Sequence, residues 1–151
     1  MQRGDSAPDF ALCDQHGVER TLSAMLRDGP IALFFYPAAM TSGCTKEACH
    51  FRDLAREFAE LGAQRVGISR DSVERQSRFT ALNGLDYPLL TDVGGSVAAK
   101  FGVKRALDFL KVKRTTFVIG HDRQIVEVIS SEFSMDAHAD RALAALARLQ
   151  P

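Results

Sequence analysis

The sequence predicts an α/β fold in which helices flank a central mixed β-sheet. Residues 31–36 form a continuous apolar run and residues 64–69 a second strand-like segment, and each is followed by a helix-like segment. Residues 115–119 and 124–128 alternate across a turn that contains glycine, which predicts an antiparallel hairpin. Because 151 residues are most simply one domain, we expect a single domain over 1–151.

The N-terminal half is predicted to hold an extension and the first strand–helix unit. We expect residues 4–12 to be extended and residues 22–26 to form one helical turn. The strand at 31–36 is followed by an amphipathic helix that ends near Gly62. The apolar stripe of that helix comprises Phe51, Leu54, Phe58 and Leu61.

The C-terminal half is predicted to begin with the strand at 64–69. Asp71 or Ser72 can cap the next helix, which ends at 83–84. The apolar residues of this helix are Val73, Phe79 and Leu82. A short extended piece near 87–90 and a short helix that ends at 101–102 precede the hairpin.

A closing helix is predicted from about Asp136, with Leu143, Leu146 and Leu149 on one side. Two parallel βα units, a hairpin and a closing helix are the element order of a thioredoxin-like fold. Here that order is preceded by an N-terminal extension and interrupted by an inserted helix. Fold alone does not give function, so the chemistry must come from particular residues.

Composition excludes several classes of partner. The chain has 19 Lys and Arg residues and 19 Asp and Glu residues, so its formal net charge is zero. No broad basic field is present, which argues against nucleic acid or an anionic membrane as a partner. Residues 1–9 lack the apolar core of a signal peptide, and the three cysteines are too few for a secreted disulfide framework. We therefore expect a cytoplasmic location, where the cysteines are free or reactive thiols.

Cys44 is the first candidate for a catalytic residue. It follows an apolar strand, Pro37 and a loop of small residues, and it opens the predicted helix. A cysteine at a helix start faces unpaired backbone N–H groups and the positive end of the helix dipole, and this setting favours the nucleophilic thiolate. A lone cysteine is more often a small core residue. The prediction therefore depends on the residues that surround it.

Those residues resemble the peroxiredoxins. Pro37, Thr41 and Cys44 have the spacing of the peroxiredoxin active-site signature, and the segment from Phe35 to Asp53 resembles the subfamily called PrxQ or bacterioferritin comigratory protein. The resemblance covers nearly the whole chain. Its other matching segments are 4–10, 67–71, 101–103 and 114–119.

The resemblance implies a role for each matching residue. Cys44 is expected to be the peroxidatic cysteine, which attacks a peroxide and becomes a sulfenic acid. The Thr41 hydroxyl is expected to hydrogen-bond the thiolate and the peroxide, and Pro37 to shape the loop and shield it from water. Arg114 matches the arginine beside the thiolate, where a charge that does not titrate near neutral pH stabilises the transition state. Individually, Thr41, Pro37 and Arg114 would be ordinary loop or strand-end residues.

Cys49 is the expected resolving cysteine. The resemblance implies an intramolecular Cys44–Cys49 disulfide, because members of this subfamily often carry a second cysteine at this spacing. Residues five apart in an α-helix have Cα atoms about 8–9 Å apart, beyond the roughly 7 Å that a disulfide spans. We therefore expect the helix to unwind before the two sulfurs can bond. The alternative is that Cys49 is only a packed helix residue.

Ser42, Cys13 and His50 also bear on the chemistry of this segment. Ser42 stands where the subfamily usually has proline, and a freer loop should make unwinding easier. Cys13 is expected to be a spectator. Cys44, Cys49 and His50 could suggest a metal site, but zinc sites pair cysteines at shorter spacing and need further ligands.

The resemblance implies a thiol peroxidase that reduces hydrogen peroxide and organic hydroperoxides. It implies thioredoxin or a similar dithiol as reductant, no metal, haem or flavin cofactor, and a monomer, since a resolving cysteine in the same chain needs no second subunit. One alternative is a disulfide oxidoreductase of thioredoxin type, which the absence of a Cys-x-x-Cys motif disfavours. Another is a redox-switched binding or chaperone-like module.

Overall fold

The computed structural model describes residues 1–149, except the side chain of Asp108. Strands β1 (Ala11–Cys13) and β2 (Glu19–Thr21) form a small antiparallel sheet. The central sheet has five strands in the order β5-β4-β3-β6-β7. These are β3 (Ile31–Phe35), β4 (Gln64–Ser69), β5 (Leu89–Thr91), β6 (Thr115–Ile119) and β7 (Ile125–Ser130). The predicted mixed sheet is confirmed, since β3, β4 and β5 run parallel and β6 and β7 antiparallel to their neighbours.

The α-helices cover both faces of this sheet. They are α1 (Leu22–Met25), α2 (Ser42–Asp53), α3 (Ala55–Glu60), α4 (Val73–Asn83), α5 (Ser96–Lys100) and α6 (Met135–Ala147). Two short 3-10 helices cover Leu26–Asp28 and Asp108–Leu110. No helix within residues 1–149 combines the length and the apolar character needed to cross a bilayer.

The core consists of two apolar clusters, one on each face of β3. Successive side chains of a strand point to opposite faces, and β3 is buried along its whole length. Leu33 and Phe35 pack into the cluster that also contains Phe101 and Phe117. Phe34 packs into the other cluster, which contains residues of α2 and α6, among them Cys44. Cys44 therefore belongs to the core on one face of a fully buried strand.

The register of the central strands brings two distant parts of the chain together. Phe35, the last residue of β3, pairs with Thr115, the first residue of antiparallel β6. The loop that leaves β3 and the residue that enters β6 must therefore meet at the same edge of the sheet. Cys44 follows that loop, and Arg114 is that entering residue.

The structure corrects two of the helix predictions and sharpens two others. The helix predicted to end near Gly62 is divided at Leu54, whose backbone lies outside the helical region (φ −96°, ψ 18°). Of the two caps predicted for α4, Ser72 is the one observed, because its hydroxyl accepts a hydrogen bond from the Arg75 N–H. Leu82 lies on α4 as predicted and is 70% exposed. Leu149 lies beyond α6 and is also exposed.

Candidate active site

The loop after β3 carries Cys44 into the first turn of α2. Cys44 is the third residue of this helix and is 1% exposed. In the first turn the backbone N–H groups have no helical acceptor, so their partial positive charge faces the local side chains. Cys44 is thus buried and lies at the electropositive end of a helix of 12 residues.

The loop itself is held by Asp71, which lies between β4 and α4, and by Arg75 on α4. The Asp71 carboxylate accepts a hydrogen bond from the Ala39 N–H (2.7 Å), and Arg75 donates to the Ala39 carbonyl (3.3 Å). Met40 has a φ of 66°, a left-handed conformation that is uncommon for residues other than glycine. Such a conformation persists only where its surroundings hold it, so these anchors define the path of the chain into α2.

Arg114 lies directly against the cysteine. Its Nη2 is 3.3 Å from the Cys44 sulfur, although the two residues are 70 positions apart, and Arg114 is 6% exposed. The guanidinium also passes close to Gly43, where a Cβ would be in ordinary van der Waals contact with Nη2 at 3.4 Å. A guanidinium at this distance stabilises negative charge on the sulfur.

Glu47 holds the other side of the guanidinium. Arg114 Nη1 donates to Glu47 Oε1 at 2.6 Å, and the Glu47 side chain is completely buried. Burial raises the pKa of Glu47 to about 7, and the charge and hydrogen bond of Arg114 oppose that rise. Cys44 and Glu47 thus share one guanidinium, since each receives a hydrogen bond from a different nitrogen of Arg114.

His138 on α6 completes the buried group. Its Nδ1 lies 2.8 Å from the Thr116 hydroxyl and 3.6 Å from Glu47 Oε2, and its Nε2 lies 2.8 Å from the Ser131 carbonyl oxygen. Because a carbonyl only accepts, Nε2 carries a proton, and in the neutral ring Nδ1 accepts from Thr116. Burial lowers the pKa of His138, and the Ser131 hydrogen bond opposes that effect.

The Thr41 hydroxyl is engaged within the loop and makes its hydrogen bond to a backbone carbonyl. Thr41 is exposed and precedes α2, and its hydroxyl donates to the Ala38 carbonyl (2.8 Å). Since a hydroxyl has one proton to donate, the side chain must rotate before it can donate to a thiolate or a peroxide. Pro37 is half-buried and directly follows Tyr36, where the chain leaves the sheet.

Cys49 lies in the same helix as Cys44, and both are free thiols. The Cys49 sulfur is partly buried and lies 3.7 Å from Asn83 Oδ1 at the end of α4. Helix geometry puts the Cα atoms of these two cysteines about 8–9 Å apart, which is too far for a disulfide. His50, considered above as a metal ligand, instead hydrogen-bonds Asp140 on α6 at 2.8 Å.

Cys13, expected to be a spectator, is exposed at the end of β1.

Two residues of this group were not predicted from the sequence: Glu47 and His138. Both carry a signal in the helical spacing of their neighbours. Glu47 stands in the buried stripe of α2 with Cys44, Ala48 and Phe51, and His138 stands in that of α6 with Met135, Ala139 and Ala142. A polar residue inside an apolar stripe of this kind indicates a buried polar partner.

The chain matches known proteins over almost its whole length. The AhpC/TSA family profile matches residues 3–128. A Mycobacterium tuberculosis protein named as a candidate peroxiredoxin is 64% identical over 148 residues, with 97% of this chain and 96% of the relative covered. Chloroplastic peroxiredoxin Q of Sedum lineare is 36% identical over 150 residues, with 99% of this chain and 80% of the relative covered.

A solved structure shows the same fold. The crystal structure of peroxidoxin BcpB from Mycobacterium tuberculosis superposes with a TM-score of 0.97 at 62% identity, and the match covers 100% of this chain and 99% of that one. The predicted thioredoxin-like fold is thereby confirmed.

Proposed function

Because the chain belongs to the AhpC/TSA family and is a thiol-dependent peroxidase of the PrxQ and bacterioferritin comigratory protein type, we propose that Cys44 attacks the peroxide. The single observation that carries this proposal is the 3.3 Å contact between Arg114 Nη2 and the Cys44 sulfur in the first turn of α2. The guanidinium and the N–H groups of the helix start both place positive charge beside the attacking sulfur.

The first step oxidises the sulfur by two electrons. The Cys44 thiolate forms a bond to one peroxide oxygen, the O–O bond breaks, and the other oxygen leaves as an alkoxide or hydroxide that takes up a proton. The products are a sulfenic acid and an alcohol or water. Negative charge moves from the sulfur to the leaving oxygen, and fixed donors along that path lower the barrier. Arg114 supplies one, and rotation of the exposed Thr41 hydroxyl would supply another; Pro37 would keep the loop in place.

The second step forms a disulfide within the chain. The Cys49 thiolate attacks the sulfenic sulfur, the S–S bond forms, and hydroxide leaves and is protonated to water. Since helix geometry keeps the two residues apart, the first turns of α2 must unwind before this step. Ser42, which occupies the first position of α2, leaves that turn freer than proline would.

Reduction by a dithiol closes the cycle. One thiolate of thioredoxin or a similar dithiol protein would attack the Cys44–Cys49 disulfide, forming a mixed disulfide and releasing one thiol. The second thiolate of the reductant then attacks the mixed disulfide, which releases the other thiol and leaves the reductant as a disulfide. Hydrogen peroxide and organic hydroperoxides are the proposed substrates, and all electrons come from thiols, so the cycle uses no cofactor. We propose that the chain acts as a monomer of one domain over 1–151; residues 150–151 lie outside the described part of the chain.

Stopped-flow oxidation with several peroxides, followed by mass mapping of the product, tests this cycle. Wild-type protein should give a Cys44–Cys49 cross-link after one equivalent of peroxide. Cys44→Ser should abolish turnover, and Cys49→Ser should allow one oxidation but prevent efficient recycling by thioredoxin. Cys13→Ser is the matched control, because Cys13 is exposed on β1 and its loss should leave turnover unchanged. Full turnover by Cys44→Ser, or an intermolecular cross-link in the wild type, would contradict the proposal.

A further inference from the structure

We propose that His138 is a positioning residue of the peroxidase site, which shares one proton with Glu47 and thereby controls how strongly Arg114 acts on Cys44. The inference rests on the proposed role of Cys44. It assigns a function to a fully buried histidine that the reaction described above does not use.

A continuous set of contacts links the imidazole to the sulfur. His138 Nδ1 lies 3.6 Å from Glu47 Oε2, Glu47 Oε1 accepts from Arg114 Nη1 at 2.6 Å, and Arg114 Nη2 lies 3.3 Å from the Cys44 sulfur. The four residues come from α2, α6 and the start of β6. None is more than 6% exposed, so bulk water screens their mutual interactions little.

The hydrogen bonds identify where the shared proton can sit. Among residues 1–149 no protein group hydrogen-bonds Glu47 Oε2, and the atom that faces it is His138 Nδ1. The Ser131 carbonyl keeps the Nε2 proton in place. The two atoms are 3.6 Å apart and not hydrogen-bonded, so one additional proton can reside on either Glu47 Oε2 or His138 Nδ1. The Thr116 hydroxyl can donate to Nδ1 in the first case and accept from it in the second.

The occupancy of this proton changes the charge around the sulfur. With the proton present, Arg114 and the Cys44 thiolate balance each other, whether the pair is neutral or a Glu47 carboxylate beside an imidazolium. When the proton leaves, the Glu47 carboxylate competes with the thiolate for the same guanidinium, and the group carries one extra negative charge. The thiolate and the leaving oxygen of the peroxide are then less well stabilised.

Other charged groups act on the pair from the elements packed around it. The Glu132 carboxylate, which precedes α6, interacts electrostatically with Glu47, and so does Tyr87 near β5. The Arg141 guanidinium on α6 interacts electrostatically with His138. Glu132 is itself engaged by Arg105 and by the Arg114 backbone N–H. These contacts are common to the variants below, so differences between variants report the shared proton.

The first test uses the wild-type chain and needs no substitution. Nitrogen NMR of the histidine rings, recorded from about pH 5 to 9, should show His138 with a proton on Nε2, and its Nδ1 signal should change near the pKa of Glu47, about 7. In Glu47→Gln that change should disappear or move. A Nδ1 signal that is constant over this range, or identical in the two proteins, would overturn the proposal.

The second test measures oxidation by hydrogen peroxide in a Cys13→Ser, Cys49→Ser background. The concentration of thiolate is followed by ultraviolet absorbance, and the rate constant is expressed per thiolate. As Glu47 and His138 lose their shared proton, this rate constant should fall about 3- to 10-fold, as expected for sites whose interaction is worth up to about one pKa unit. His138→Asn should move or remove this step.

His121→Asn is the matched control, because His121 lies in the β6–β7 turn at the other end of the sheet and bonds the Leu26 carbonyl. It should keep the wild-type profile. A step that persists unchanged in both His138→Asn and Glu47→Gln would overturn the inference. If Cys44 were not the peroxidatic residue, peroxide would leave its thiolate intact in every variant, whereas the NMR titration would still report the pair.

Discussion

Replacing Glu47 with glutamine should make the protein relatively more stable as pH rises. Glutamine is close in shape to a protonated glutamate and cannot ionise. Glu47 is completely buried against Arg114, and burial raises its pKa to about 7 from the ordinary value of 4.5. The folded state therefore holds this proton more tightly than the unfolded state does. The resulting stability is fully present below pH 4.5 and is lost as pH rises to about 7.

The size of the effect follows from the same two values. A pKa of 4.5 in the unfolded chain and about 7 in the folded chain corresponds to about 3 kcal/mol. The free energy of unfolding of Glu47→Gln minus that of the wild type should thus rise by up to about 3 kcal/mol between pH 5 and 8. His138 has the opposite sign, because its lowered pKa favours the unfolded state at low pH. Because His138 faces Glu47 at 3.6 Å, the difference between the two proteins reports the titration of the pair as a whole.

Urea unfolding under reducing conditions at several pH values measures this difference. Glu57→Gln is the matched control, since Glu57 is exposed on α3 and should give a difference that changes little with pH. If the Glu47→Gln difference is as flat as that of Glu57→Gln, Glu47 is ionised throughout the range. The attraction of Arg114 then outweighs burial, and the reasoning is wrong.

Three further substitutions test the helix and the sheet. Ser42→Pro should stabilise the folded protein by about 0.4–1 kcal/mol and slow disulfide formation relative to sulfenic acid formation in stopped flow; equal rates in both proteins would remove the argument. Tyr87→Phe removes the 2.7 Å hydrogen bond from the phenol to the Ala48 carbonyl in α2, so it should cost about 1 kcal/mol in urea unfolding and speed disulfide formation. Gly67→Ala should cost about 1–3 kcal/mol, because its Cβ would lie 2.7 Å from a buried leucine methyl group, whereas Gly94→Ala meets open space and should cost less than about 0.5 kcal/mol; equal costs would contradict the packing argument.

Local sequence signals predicted much of the fold. The strand at 64–69 and the hairpin after Thr115 were predicted because their periodicity and turn residues agree with the final packing. Leu82 lies on α4 as predicted, but the sequence did not indicate its exposure, because a helix of 11 residues contacts the sheet over a narrow stripe whose edges periodicity does not define. The break at Leu54 was missed because no glycine or proline marks it.

The site was predictable only in part. The helix start after the loop favours a reactive Cys44 on physical grounds, but Arg114 could be assigned only through the family resemblance. Its approach depends on the pairing of Phe35 with Thr115, a register that no local pattern specifies. Glu47 and His138 were missed because a polar residue in an apolar stripe identifies burial but not its partner.

The separation of Cys44 and Arg114 by 70 positions has a consequence for protein synthesis. A nascent chain that has released Cys44 from the ribosome still lacks the guanidinium and the imidazole, and β3 lacks its β6 neighbour. Its thiol should behave as that of an unstructured peptide, and oxidants should not consume it faster than any other cysteine. Reactivity arises only when the C-terminal third has emerged and folded, so translation itself would protect the unfinished enzyme from inactivation.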